Sequence, residues 1–86
     1  TFEIVSAYPN PFNPSTSILY GLDIAGNVDI MIYDITGSLV HTIYSGMVES
    51  GYHEVSWDAS ESTSGIYFIQ FKTQHSVSNK KVVLIK

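Results

Sequence analysis

Apolar residues in this chain recur at every second position, and this period limits what the chain can fold into. Ile18, Tyr20 and Leu22 alternate with small or polar residues, and the same spacing recurs in two later runs. Period two is typical of a β-strand with one buried face. No window shows the capped, amphipathic stripe expected of a helix. The sequence therefore predicts an all-β protein.

Turn signals divide these runs into seven predicted strands. Clusters of Gly, Asn and Ser, such as Ala25–Asn27 and Ser62–Gly65, separate them and permit tight turns. The predicted strands are Phe2–Ser6, Ser15–Leu22, Asn27–Ile35, Leu39–Tyr44, Gly51–Trp57, Gly65–Thr73 and Ser78–Ile85. Because short strands that follow one another so closely pair antiparallel, we predict an immunoglobulin-like antiparallel β-sandwich.

Composition excludes several classes of function. The chain has 86 residues, a net charge of −4 and no arginine, so it lacks the basic face of a nucleic-acid-binding protein. No apolar run is long enough to insert into a membrane, and without cysteine a disulfide or a Cys-ligated zinc site is impossible. We expect residues 1–86 to form a single domain. Because residue 1 is Thr and no signal peptide is visible, we interpret the chain as part of a longer protein.

Segment 8–14 reads Tyr-Pro-Asn-Pro-Phe-Asn-Pro and is the least ordinary part of the chain. Its prolines fix φ and cannot donate backbone hydrogen bonds, so the segment is predicted to be a stiff connector that stays out of central strands. We expect Tyr8 and Phe12 to anchor it to the sandwich. Asn10 and Asn13 are suited to close Asx turns.

Histidines and serines show no catalytic or metal-binding pattern. His41, His53 and His75 lack the spacing of metal ligands, and we expect the first two to be half-buried in strands and the third to lie at a loop tip. No serine sits in a Gly-x-Ser-x-Gly turn. A sandwich this small leaves little room for a walled pocket. We therefore expect neither catalysis nor a cofactor.

Three aspartates leave one metal-binding alternative open. Asp29, Asp34 and Asp58 could meet at one end of a sandwich and hold calcium. However, the chain has no D-x-D-x-D-G loop, which is the sequence signature of a dedicated calcium site.

The aromatic residues favour a structural role. Trp57 follows Val55 at strand period and fits an inter-sheet core position, although an exposed Trp could instead form a sugar-binding platform. Gly65 and Tyr67 have the local arrangement of a tyrosine corner, in which the ring fills the core and the hydroxyl bonds to upstream backbone.

The last predicted strand has apolar residues on both faces. Val82–Ile85 is uninterrupted, and Lys80, Lys81 and Lys86 flank it. A strand buried on one face would alternate, so the extra apolar face is either covered by a loop of this domain or reserved for a partner. At a sheet edge such a strand also leaves backbone groups free for strand addition. The lysines fit either protection of this edge or contact with an acidic partner.

Five blocks taken in order resemble the C-terminal sorting domain, type A, of cargo proteins of the type IX secretion system. The blocks are Tyr8-Pro9-Asn10-Pro11-Phe12-Asn13-Pro14-Ser15-Thr16, Val28…Ile32-Tyr33-Asp34…Gly37…Val40, Gly51-Tyr52-His53…Trp57-Asp58, Ser64-Gly65-Ile66-Tyr67-Phe68 and Lys80-Lys81-Val82-Val83-Leu84-Ile85-Lys86. The resemblance extends from about Ile4 to Lys86. Family members often have Arg at the position of Ser38 and Gly at that of Ala59, so the chain departs from the pattern there.

The resemblance implies a sorting signal rather than an enzyme. It implies an immunoglobulin-like sandwich at the C-terminus of a larger secreted protein, from a bacterium of the Bacteroidetes type or a relative. The outer-membrane secretion machinery would recognise the domain after export to the periplasm and deliver an upstream cargo to the cell surface. A sortase-like cysteine protease would then remove the domain in many cargoes. The residues assigned to translocon recognition are Lys80, Lys81, Val82, Val83, Leu84, Ile85 and Lys86.

Two alternatives belong to other functional classes. The immunoglobulin-like domain of the flagellar hook-cap protein has similar sandwich blocks. A carbohydrate-binding accessory module is the second alternative, and it requires an exposed row of aromatic side chains.

Overall fold

Seven strands form two sheets in the computed structural model, which describes residues 6–86. The strands are β1 (Ser6–Tyr8), β2 (Ser15–Leu22), β3 (Gly26–Asp34), β4 (Leu39–Val48), β5 (Gly51–Asp58), β6 (Gly65–Lys72) and β7 (Val77–Leu84). One sheet has the order β1-β2-β5 and the other the order β4-β3-β6-β7, with antiparallel pairing throughout. This confirms the predicted immunoglobulin-like sandwich. The strands divide as in a constant-type immunoglobulin domain, except that β4 joins the second sheet.

The period-two alternation places one face of each central strand in the core. The inner residues of β2, β3 and β6 are buried, as predicted. They are Ile18, Tyr20, Leu22, Val28, Ile30, Ile32, Tyr67, Ile69 and Phe71. Removing this apolar area from water is the main term that favours the fold, at about 25 cal/mol per Å². The chain needs no disulfide to hold the two sheets together.

The predicted strand ends differ most at β1 and β4. Residues 2–5 of the predicted first strand lie outside the described residues, and β1 extends to Tyr8, two residues past its predicted end. β4 continues to Val48, four residues past its predicted end. Its pairing with β3 shifts register twice, between Ile30 and Met31 and between Ile32 and Tyr33. These irregularities hide the period-two signal on which the sequence prediction depended.

The strand directions define two ends of the sandwich. The loops at residues 23–25, 49–50 and 73–76 lie at one end, because the strand ends next to them are neighbours in the sheets: Leu22 pairs with Gly51, Gly26 with Val48, and Lys72 with Val77. The loops at residues 35–38 and 59–64, the proline segment and residues 85–86 lie at the other, which we call the C-terminal pole. The longest dimension of the molecule is 37 Å.

Candidate functional site

β7 alternates between core and accessible side chains. Val82 and Leu84 are fully buried, whereas Val83 is half-buried on the outer face of the sheet. Lys81 is exposed on the same outer face, opposite Phe68 of β6. Ile85, just beyond the strand, is 53% exposed. The strand thus contributes to the core through one face and offers the other to solvent.

The proline segment covers the edge of the C-terminal half of β7. The backbone N–H of Phe12 donates to the Val83 carbonyl at 2.9 Å, and the N–H of Ile85 donates to the Phe12 carbonyl at 3.0 Å. Phe12 and Leu84 form a parallel bridge. The prediction of a row of free backbone groups along this strand is therefore wrong for this half, because another segment of the same chain already pairs with it.

The side-chain amide of Asn10 replaces the backbone groups that the prolines on either side cannot supply. Its Oδ1 accepts from the N–H of Val83 at 3.0 Å, and its Nδ2 donates to the Lys81 carbonyl at 3.2 Å. Pro9 and Pro11 have no N–H of their own. We call this pair of bonds the Asn10 clamp. The predicted Asx turn at Asn10 is wrong, since its side chain bonds to β7 instead.

Phe12 and Thr16 fix the proline segment to the sandwich. Phe12 is 2% exposed, and its ring lies 5.3 Å from that of Trp57, centroid to centroid. The buried hydroxyl of Thr16 donates to the Pro9 carbonyl at 2.9 Å. The prediction that Phe12 anchors the segment is confirmed. The same prediction for Tyr8 is wrong, because Tyr8 lies opposite Ser17 on the outward side of β1 and is 81% exposed.

An aromatic cluster supports the C-terminal pole from within. Trp57 is 3% exposed and contacts Tyr67 edge-on, with ring centroids 5.4 Å apart. This confirms the core role of Trp57 and contradicts the sugar-platform alternative for it. The Tyr67 hydroxyl donates to the Thr63 carbonyl at 2.6 Å, which confirms the tyrosine corner. Gly65, which opens β6, has φ of +155°, a conformation that other residues rarely adopt.

The last residue is attached to the loop between β5 and β6. The backbone N–H of Lys86 donates to Ser64 Oγ at 3.1 Å, and its Nζ donates to the Ser60 carbonyl at 2.6 Å. Lys80 is half-buried opposite Ile69. The lysines of the predicted recognition strand therefore differ in accessibility, and Lys81 is the one whose side chain projects from an outer face.

The three aspartates considered for calcium each have a local hydrogen-bond partner. Asp29 accepts from the hydroxyl of Ser45, and Asp58 accepts from the N–H of Ser60. Asp34 accepts within its own turn. Among residues 6–86 no group of three or more metal-ligating side chains is present. The structure does not bring the three carboxylates together.

Asp34 organises the turn between β3 and β4. Its Oδ1 accepts from the hydroxyl and the N–H of Thr36, at 2.6 and 2.9 Å, and from the N–H of Ser38 at 3.0 Å. These bonds, led by that of the Thr36 hydroxyl, hold the pKa of Asp34 below its usual value. Gly37 has φ of +87° at the tip of the turn, where only a glycine is unstrained.

The histidines do not form a site. His53 is half-buried, as predicted; its ring stacks on Tyr20, and its Nε2 lies 2.7 Å from the Glu49 carbonyl. The prediction for His41 is wrong, because residues 39–42 are all exposed and this half of β4 is covered on neither face. His75 lies exposed in the turn between β6 and β7, as predicted. No helix capable of spanning a lipid bilayer occurs in the described part of the chain.

Comparisons with known proteins identify a family, and two similar solved structures illustrate the fold. A family model described as the secretion system C-terminal sorting domain matches residues 6–86. The crystal structure of dimeric latent PorU from Porphyromonas gingivalis is similar at 20% identity and a TM-score of 0.71, covering 99% of this chain. PorZ of the same organism, described as an essential surface component of its type IX secretion system, is similar at 26% identity and a TM-score of 0.66, covering 95% of this chain.

The matched part is small in both structures. This chain covers 10% of the PorU chain and 11% of the PorZ chain. Curated proteins gave no match. The similarity to PorU therefore concerns the fold, and the family match concerns nearly the whole of the present chain.

Proposed function

This chain belongs to the family of secretion system C-terminal sorting domains, and we propose that its C-terminal strand, Lys80–Lys86, is the part that the type IX outer-membrane machinery recognises. Domains of this family are sorting signals for secretion. The alternation along β7 supports the proposal. Val82 and Leu84 hold the strand in the core, while Lys81, half-buried Val83 and exposed Ile85 remain in reach of a partner.

The wider context is part of the same proposal. A cargo precedes the domain in a longer protein, crosses the periplasm and reaches the cell surface through the outer-membrane machinery. A sortase-like protease is the second partner. The sorting domain itself carries no catalysis, and any enzymatic activity belongs to the cargo.

Recognition by side chains fits the covered edge of β7 better than recognition by strand addition does. Strand addition needs free backbone groups, and those of Val83 and Ile85 are bonded to Asn10 and Phe12. Freeing them would expose Phe12, which is 2% exposed and packs on Trp57. Along the C-terminal half of β7 the folded domain therefore presents lysine and aliphatic side chains, not an open edge.

The experiment uses a reporter with a signal peptide, joined to residue 1 of the whole chain, in a bacterium that has type IX secretion. Replacing Lys80, Lys81 and Lys86 by Glu should lower the amount of reporter at the cell surface and leave it in the periplasm. Lys72→Glu is the matched control, because Lys72 is the one lysine outside this strand. Thermal unfolding of the isolated variants checks that they fold.

The outcomes separate clearly. Normal export of a folded triple variant would refute recognition through this strand. Deleting residues 82–86 should also trap the reporter, but this change removes Val82 and Leu84 from the core. Charge reversal is therefore the more specific test.

A further inference from the structure

The outer face of the four-stranded sheet carries a continuous apolar surface. In an outward row across three strands, Leu39 of β4 lies opposite Tyr33 of β3, and Tyr33 lies opposite Phe68 of β6. Ile66 and Val83 are paired next to this row. Leu39 and Ile66 are 54% and 40% exposed. We call these five residues the outer patch.

The centre of the other sheet has a different character. On the outer face of the three-stranded sheet, the exposed apolar side chains of Tyr8, Leu19 and Tyr52 are separated by small or polar neighbours. Tyr8 lies opposite Ser17, Leu19 opposite Glu54, and Tyr52 opposite Gly21. Outward positions of an antiparallel sheet are usually polar, because that face is solvated. Contiguous exposed apolar side chains on a small protein mark contact surfaces more often than single ones do. The outer patch is therefore the better candidate for a contact.

We propose that the outer patch is the surface through which the folded domain binds a component of the secretion machinery, which meets it with an apolar surface and an acidic group facing Lys81. This inference rests on the proposed function. The patch is continuous with the proposed recognition strand, since Val83 belongs to both and Lys81 lies opposite Phe68. One surface thus joins the strand's accessible side chains to the centre of the sheet.

The charges on this face determine the chemistry of the partner. Asp29 lies opposite Lys72 in register and accepts from Ser45. Asp34 points one carboxylate oxygen into its own turn, where three donors bond to it. Lys81 has no acidic residue opposite it, since it faces Phe68. A complementary surface therefore supplies an acid at this position, and like charge would be repelled.

The covered edge strengthens the argument. Because Asn10 and Phe12 already bond to the edge of β7, a partner can recognise this part of the folded domain only through its side chains. Those of Val82 and Leu84 face the core, so the reachable ones lie on the outer face or at the pole. The outer patch is where these side chains are most apolar.

Ile66→Ser and Leu19→Ser form a matched pair for the test. The two residues have the same kind of side chain and nearly the same exposure, 40% and 41%, but they lie on opposite outer faces. In the reporter described above, Ile66→Ser should lower surface delivery about tenfold, as the loss of one apolar anchor does. Leu19→Ser should leave it unchanged. Leu39→Ser is a second variant should Ile66→Ser not fold.

Each result of this experiment leads to one conclusion. Equal delivery by the Ile66 and Leu19 variants, both folded, would overturn the inference. Normal delivery by Ile66→Ser together with loss of delivery by the triple lysine variant would overturn the outer patch alone and leave the proposed function standing. A third outcome would also overturn the inference. In it, light scattering shows that the chain self-associates, Ile66→Ser abolishes that association, and delivery of the Ile66→Ser variant is normal. A second copy of the chain would then cover the patch.

Discussion

Replacing Asn10 by Ala should loosen the edge of β7 without disturbing the core. The change removes both bonds of the Asn10 clamp, to the Val83 N–H and the Lys81 carbonyl. A hydrogen bond contributes a net of about 0.5–1.5 kcal/mol. Both bonds lie at exposed positions, where water replaces part of what is lost. We therefore expect the free energy of unfolding to fall by about 1–2 kcal/mol, which lowers the Tm of a domain this size by about 4–8 °C for each kcal/mol.

Two measurements test this prediction, and one locates the effect. Urea unfolding gives the change in stability, with an unchanged m-value if the two-state transition is preserved. Amide hydrogen exchange gives its position: the N–H of Val83 should exchange faster, because Asn10 Oδ1 is its acceptor. The N–H of Ile85, which donates to the Phe12 carbonyl, should be affected less.

Two further variants sharpen the result. Asn13→Ala is the control, because Asn13 is an exposed residue of the same segment, and the change should cost no more than about 0.5 kcal/mol. Asn10→Asp retains the acceptor for Val83 and loses the donor to Lys81, so Val83 should stay protected. Equal losses of stability in Asn10→Ala and Asn13→Ala, or unchanged exchange at Val83, would refute the reasoning.

Three other predictions concern the core and the turns. Trp57→Ala should cost about 3–5 kcal/mol in urea unfolding, as large-to-small changes in cores do; a cost below about 1 kcal/mol would contradict its burial. Tyr67→Phe should cost about 1 kcal/mol in calorimetry by removing the 2.6 Å bond to the Thr63 carbonyl, and an unchanged Tm would show that the bond does not stabilise the fold. For Asp34 the folded pKa lies below the unfolded value of about 3.9, so its contribution to stability is present above that pH and is lost as pH falls through the folded pKa. A carboxyl NMR titration with a midpoint at or above the unfolded value would contradict the hydrogen bonds in its turn.

The core of this fold could be predicted from the sequence because burial on one face imposes a strict period. Ile30 and Ile32 on β3 and Ile69 and Phe71 on β6 are buried as their spacing predicts. The tyrosine corner at Tyr67 could also be predicted, because it depends on a local arrangement. Where each contact is local or periodic, the sequence carries the signal.

The cover over β7 could not be predicted in the same way. Asn10 and Val83 are 73 positions apart, and no local rule connects them. Prolines predict a segment that does not pair, because they lack backbone donors. In this segment the Asn10 side chain supplies both a donor and an acceptor, as a peptide group would, between two prolines.

The outer patch was missed for a related reason. Alternation ranks the residues of one strand against each other, so it predicts only that Phe68 lies on the face opposite to that of Tyr67 and Ile69. The significance of Phe68 and Ile66 depends on Tyr33, Leu39 and Val83, which other strands bring beside them. Which strands are neighbours follows from topology, and the pattern within one strand contains no such information.

The closure of the proline segment on β7 also sets the order in which the chain completes its fold. Asn10 and Phe12 appear early in the chain, yet their partners are residues 81–85. A chain that emerges with its N-terminus first, from a ribosome or a membrane pore, has no partner for the Asn10 side chain or the Phe12 backbone until those residues follow. Contacts of such long sequence separation form slowly, because the loop between them must be closed first. The domain therefore stays incomplete until nearly its whole length is free, so that folding is tied to the arrival of the strand proposed as the signal.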